Sequence, residues 1–321
     1  MGLRIILHYQ LIKECYELGD KIVVANTGDD SLSVIDCCSW AESYRIYMPL
    51  DSGPYALVKA REKPYIFVSQ YYADSLLYVD IQSKKIEKSL FLGRRPSYMV
   101  ADVSKNFLYV TNVDSDSVSI ITMDDMGLIG QLAVGSMPQG IDYDPGAEVL
   151  AVANTYSNSV YIISTSDYRI IKTIKLESYP YQVKYSLKKR CLFVGCSCSE
   201  NRDGGSIAVL NTDDYSIEYE IDLKGIPGQL YETKDGRYIL VASMEEGGLQ
   251  IIDLNKKKVI KNIPTNGMTH GIAVDKDEKY IYVTNPDDDS VSVVDWKKSK
   301  RITNIPVGKE PNGIVFISDD L

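Results

Sequence analysis

The sequence predicts an all-β fold, a seven-bladed β-propeller of four-stranded antiparallel blades closed by the C-terminal strand joining the first blade. Three observations predict it. An apolar strand ending in a small or polar residue recurs seven times, from Ile22-Val23-Val24-Ala25-Asn26 to Ile281-Tyr282-Val283-Thr284-Asn285, with central valines at 24, 68, 110, 152, 194, 241 and 283. A second anchor, Pro54, Pro96, Pro138, Pro180, Pro227, Thr269 and Pro311, repeats with the same period. Each period holds about four short strand signals and no helical 3.6-residue pattern of useful length.

Within a unit the elements follow in order. An apolar inner run follows the proline anchor, as in Gly140-Ile141-Asp142-Tyr143, and the valine strand comes next. An alternating strand follows, as in Ser117-Val118-Ser119-Ile120-Ile121, then an outer strand such as Arg169-Ile170-Ile171-Lys172-Thr173-Ile174. The inner strand of the first unit is missing upstream and reappears at the end as Asn312-Gly313-Ile314-Val315-Phe316, so the two ends of the repeat should share one blade and leave no open sheet edge. Residues 1–20 form an N-terminal extension and residues 21–321 the propeller. The one long departure from the period is an insertion in Cys198 to Gly205, which could act as a lid or contact segment.

Composition narrows the function classes. A content of 45% hydrophobic and 25% charged residues is that of a soluble globular protein. The net charge of -9 opposes phosphate-backbone binding, so nucleic acid is not an expected partner. No apolar stretch approaches a membrane span, and the N-terminus lacks a signal-like core, which suggests a cytoplasmic protein without a membrane partner. Six cysteines without such a signal read as reduced thiols. Neither Cys196-Ser197-Cys198 nor Cys37-Cys38 completes a zinc site, and haem-attachment, nucleophile-elbow and phosphate-loop motifs are absent, so no cofactor is expected.

The segments Leu108-Tyr109-Val110-Thr111-Asn112 and Ile281-Tyr282-Val283-Thr284-Asn285 are each followed by an Asp-Ser-Val-Ser hairpin strand. Together with Gly308-Lys309-Glu310-Pro311-Asn312-Gly313-Ile314 they resemble the YVTN repeat family over nearly the whole chain after residue 20. The resemblance implies the propeller fold and places the turns before the inner strands and the hairpins after the valine strands on one face. It implies no single function, because these motifs build blades.

Departures from the repeat carry the functional expectation. The residues following the proline anchors are Tyr55, Ser97, Gln139, Tyr181, Gly228, His270 and Asn312, and the next are Ala56, Tyr98, Gly140, Gln182, Gln229, Gly271 and Gly313. Equal packing roles would favour equal residues, so this variety marks a binding mouth of the central channel. The expected ligand contacts are Tyr98, Gln139, Gln182, Gln229 and Asn312, with His270, Tyr55 and Tyr181 as candidate catalytic groups. His270 suits proton transfer, and packing against a neighbouring blade is its structural alternative. Asp142 and Lys184 stand at matching positions in adjacent blades and could pair. The acidic hairpins Asp29-Asp30, Asp114-Ser115-Asp116 and Asp287-Asp288-Asp289 suit turn chemistry better than calcium. The mouth positions contain no carboxylate, which weakens a metal-dependent lactonase reading. Two functions follow: a binding propeller recognising a small molecule or protein partner, or a lyase, hydrolase or cyclase with His270 as general acid or base. The second resembles streptogramin-type lyases, which are also seven-bladed with a mouth histidine.

Overall fold

The computed structural model describes residues 19–61, 64–186, 188–197, 204–245 and 247–318. These residues form seven four-stranded antiparallel sheets arranged as a ring. Blade 1 runs outward from Pro311–Ile317 through Lys21–Asn26 and Ser31–Asp36 to Ala41–Tyr47, so the C-terminal strand supplies its innermost position. Val23 faces Val315 and Val24 faces Ile314 across that closing ladder. Blades 2 to 7 follow in chain order, each built from four consecutive strands. The predicted ring and its closure are both present. The N-terminal extension apart from Gly19 and Asp20, and the predicted lid apart from Gly204 and Gly205, lie outside the described residues.

Alternation along each strand leaves both faces of the two middle strands apolar, and neighbouring blades bury them. Val23 and Val34 of blade 1 pack with Ile66, Val68 and Val79 of blade 2. Ala151 and Val160 of blade 4 pack in the same way with Val194 and Ala208 of blade 5.

The repeated polar residues tie these sheets together. Asn112 donates to Ser117 and Ser119 at 3.0 and 2.9 Å, and Asn26 and Asn285 make the same bonds in their own blades. Thr111 Oγ1 donates to the Gln139 carbonyl at 2.9 Å, and Thr284 Oγ1 to the Asn312 carbonyl at 2.9 Å, each joining one valine strand to the next inner strand. The acidic hairpins perform turn chemistry. The Asp30 carboxylate accepts the N–H groups of Asp51, Ser52 and Gly53, and Asp116 and Asp289 accept Met137 N–H and Glu310 N–H at 2.8 and 2.9 Å. Among the described residues no three His, Cys, Asp or Glu side chains converge as metal ligands.

Candidate functional site

Blade 7 departs from the others where its inner strand begins. The inner strand covers only Ile272–Val274, and Thr269 stands where the other blades carry proline and so retains a backbone N–H. That N–H donates to the Ser243 carbonyl at 3.1 Å, and Thr269 Oγ1 donates to the Gly248 carbonyl at 3.0 Å, holding the segment against blade 6. His270 follows with both backbone groups committed: its N–H donates to the Thr284 carbonyl at 3.1 Å, and its carbonyl accepts Gln229 N–H at 2.9 Å. The imidazole is thereby anchored between blades 6 and 7.

Small residues let the inner strands approach closely enough for side chains to meet across the channel. A Cβ on Gly313 would lie 2.1 Å from the Tyr55 carbonyl, and one on Gly271 would lie 2.4 Å from the Asn312 carbonyl. Gly140 and Gly228 stand 2.7 Å from the Gln182 backbone and the His270 carbonyl by the same construction. Part of the sequence variety at the mouth therefore serves packing: glycine stands where a neighbouring backbone leaves no room for a methyl group.

The remaining variety builds one cluster from four blades. Nε2 of His270 lies 3.0 Å from the Tyr98 hydroxyl and 3.2 Å from the Tyr55 hydroxyl, and the Tyr55 and Tyr181 hydroxyls are 3.5 Å apart. Tyr98 meets the edges of Tyr55 and Tyr181 at centroid separations of 5.6 and 6.2 Å and stacks with His270 at 6.2 Å. Tyr98 and His270 are buried, whereas Tyr55 and Tyr181 keep part of their surface exposed. The four rings thus close the hub with a hydrogen-bonded plug.

Burial sets the electrostatics. Desolvation pulls the His270 pKa down from 6.5 to about 4, and the neighbouring Asn312 backbone offsets this only in part, so the ring is neutral at pH 7. Desolvation also raises the phenols of Tyr55 and Tyr98 well above 10, and the adjacent Tyr181 adds to the effect. The His270 Nδ1 is buried without a partner in bonding geometry. The Gln182 side-chain Nε2 is also buried and unpartnered.

Other predicted contacts point elsewhere. The Asn312 amide donates to Thr27 Oγ1 on the blade 1 hairpin at 2.8 Å and to the Glu310 carbonyl at 3.2 Å. Gln229 Oε1 accepts Ile272 N–H at 2.8 Å, pinning blade 6 to blade 7. Gln139 is buried, with its carbonyl taken by Thr111. Lys184 Nζ does pair with Asp142, at 3.0 and 3.1 Å, and the same carboxylate accepts Tyr185 N–H at 2.7 Å. The structure adds two residues to the site. Tyr71 packs at a tilt against Tyr55 at 5.2 Å, and the Arg95 guanidinium lies 5.4 Å over Tyr71. A signal for Tyr71 was present: after the valine strand most units carry Thr, Val, Ser, Met or Pro, and only the second carries an aromatic residue.

A family model described as the Cytochrome D1 heme domain matches residues 192–315, less than half of the chain. No curated protein matches. Among solved structures, hydrazine synthase of Kuenenia stuttgartiensis is 20% identical, with a TM-score of 0.77 over 84% of this chain and 90% of that one. The dihydro-heme d1 dehydrogenase NirN in complex with DHE is 14% identical, with a TM-score of 0.69 over 93% of this chain and 75% of that one. AztD from Citrobacter koseri is 15% identical, with a TM-score of 0.67 over 93% and 97%. At these identities the likeness concerns the propeller fold.

Proposed function

We propose that this chain is a binding propeller that takes a flat, largely apolar small molecule at the channel mouth, against the rings of Tyr55, Tyr71 and Tyr181. The observation that carries the reading is the cluster of Tyr55, Tyr98, Tyr181 and His270, which four different blades contribute and no repeating blade role requires. Tyrosine offers a ligand an apolar face and a hydrogen-bonding edge. Arg95 over Tyr71 adds a cation at the rim. The partial match to the Cytochrome D1 heme domain and the likeness to NirN in complex with DHE support a tetrapyrrole as the first molecule to test.

The cluster fits ring stacking better than iron ligation. His270 is the only histidine among the described residues, its Nε2 is shared by two phenols, and its Nδ1 is enclosed. An axial bond would require the plug to come apart.

Acid–base catalysis by His270 is the competing use of the same contacts. A base with a pKa near 4 accepts a proton poorly at pH 7, and phenols raised above 10 donate one poorly. The directions of these shifts favour binding over proton transfer. A cytoplasmic setting belongs to the proposal, consistent with Cys37, Cys38 and Cys191 standing as free thiols.

Titration with haemin and with metal-free protoporphyrin IX tests the reading. Both should bind with similar affinity, since stacking needs no iron, and Tyr55→Ala should weaken each about tenfold, about 1.4 kcal/mol. Absence of binding, or affinity unchanged in both Tyr55→Ala and Tyr181→Ala, would contradict it.

A further inference from the structure

A turn position repeated in every blade shows where the ring is incomplete. Between the third and fourth strands each blade places one residue at positive φ: Trp40, Lys84, Met126, Tyr168, Tyr215, Lys257 and Ser299, with φ between 52° and 61°. Six of these side chains are large and lie on the seam with the preceding blade. Trp40 meets the Tyr280 ring of blade 7 edge-on at 5.1 Å. Met126, Tyr168 and Tyr215 pack into the clusters shared by blades 2 and 3, 3 and 4, and 4 and 5. Lys84 and Lys257 place their ammonium groups 4.3 and 4.0 Å over Tyr44 of blade 1 and Tyr219 of blade 5. Ser299 alone lacks bulk. On the preceding blade, Lys261 occupies the position that Tyr44 and Tyr219 hold in theirs, so the seam between blades 6 and 7 also lacks that aromatic partner.

A cleft of about 720 Å3 lies at this seam, with Ser299 in its lining. The inner strand of blade 6 begins beside His270 and ends at Glu232, next to the cleft residues Thr233 and Lys234, which puts the cleft on the face opposite the His270 mouth. Its floor is aromatic: Trp296 and Tyr238 meet edge-on at 5.4 Å, and the indole N–H is already held by the Glu278 carbonyl at 2.9 Å. Ile260, 40% exposed, forms an apolar wall. Lys234, Lys261 and Lys297 line the same space with Asp235 and Glu278, in a chain whose net charge is -9; Lys234 Nζ donates to the Lys276 carbonyl at 2.5 Å and Lys297 Nζ lies 5.7 Å from the Trp296 ring centroid, which leaves Lys261 as the cation for a ligand. Both carboxylates are engaged. Asp235 accepts Thr233 Oγ1 at 2.6 Å and Arg237 N–H at 3.0 Å, and Glu278 accepts Tyr231 and the Lys234 N–H at 2.8 and 2.6 Å.

From the missing bulk, the aromatic floor and the lysine lining together, we infer that the seam between blades 6 and 7 is a second ligand site, taking a planar aromatic molecule that carries an anionic group. The ring system lies against Trp296 and Ile260 where the other seams hold their own side chain. The anion meets Lys261.

Flavin mononucleotide and riboflavin test this inference, because they share a planar body and differ by one phosphate. In the full chain with Trp40→Phe, Trp296 is the only tryptophan and reports on the cleft directly. Flavin mononucleotide should quench its emission saturably, riboflavin should bind about tenfold more weakly, and Lys261→Gln should narrow that gap, as loss of a charge-assisted contact requires. Ser299→Trp, which places at this turn the residue blade 1 already carries, should abolish binding in calorimetry with the melting temperature kept; Ser299→Met serves if the larger side chain does not fold. Tyr55→Ala should leave the flavin quenching of Trp296 unchanged, separating this site from the mouth. Equal affinity for the two flavins, no saturable quenching, or full affinity in a folded Ser299→Trp or Ser299→Met chain would overturn the inference.

Discussion

The hub at the His270 mouth and the seam between blades 6 and 7 both break the repeat, in opposite senses. At the hub the breaks add bulk: Tyr55, Tyr98, Tyr181 and His270 reach across the channel and fill it. At the seam the break removes bulk, since Ser299 stands where six other blades place a large side chain. A ring of near-identical units makes both readable, because each position carries six internal controls. The comparison also separates two causes of variety. Gly271 and Gly313 vary because a neighbouring backbone is too close for a methyl group, whereas the hub tyrosines have no such structural demand.

The largest effect should come from emptying the hub. Tyr98→Ala removes a buried ring in contact with three others, and chemical denaturation should show a loss of about 3 to 5 kcal/mol, the range for deleting a buried aromatic side chain. Phe91→Ala, at the outer edge where the ring is 77% exposed, should change stability by no more than about 0.5 kcal/mol. A similar cost for the two would remove the distinction between a packed hub and an ordinary surface.

A smaller loss is expected from Gly313→Ala. The added methyl group meets the Tyr55 carbonyl, a backbone atom that cannot rotate away, so equilibrium unfolding should show a cost of about 1 to 3 kcal/mol. Gly130→Ala on an outer strand meets nothing within 4 Å and should be nearly neutral. Equal effects at the two positions would mean that the inner strands are less tightly apposed than described.

The fold was legible because seven copies of one pattern leave little freedom, and the missing inner strand before Lys21 predicted the closure at Pro311–Ile317. The hub was legible only as a set of exceptions. That Tyr55, Tyr98, Tyr181 and His270 meet depends on how closely glycines bring the inner strands together, a distance no linear spacing encodes. Asn312 and Gln229 have the same sequence signature as those four, yet their amides turn to Thr27 and to the Ile272 backbone. Local backbone donors and acceptors competed successfully for them. Ser299 was hidden for another reason: the valines and prolines that mark the repeat lie on strands, whereas Ser299 lies in a turn and stands out only against its counterparts at the other six seams.

The most direct test of the hub follows the His270 imidazole itself. With His8→Gln, one histidine remains, and its ring resonances can be followed by NMR from pH 7 to pH 3. An unfolded chain takes up this proton below about 6.5, while the folded hub resists it down to about 4. The stability contributed by keeping the ring neutral is therefore fully present above pH 6.5 and lost as pH falls toward 4. The hub described here predicts a neutral ring through pH 5 with a midpoint near 4, and Tyr98→Ala should move that midpoint upward by admitting water. An imidazole that titrates near 6.5 in the folded protein would contradict the buried four-blade cluster on which the binding site rests.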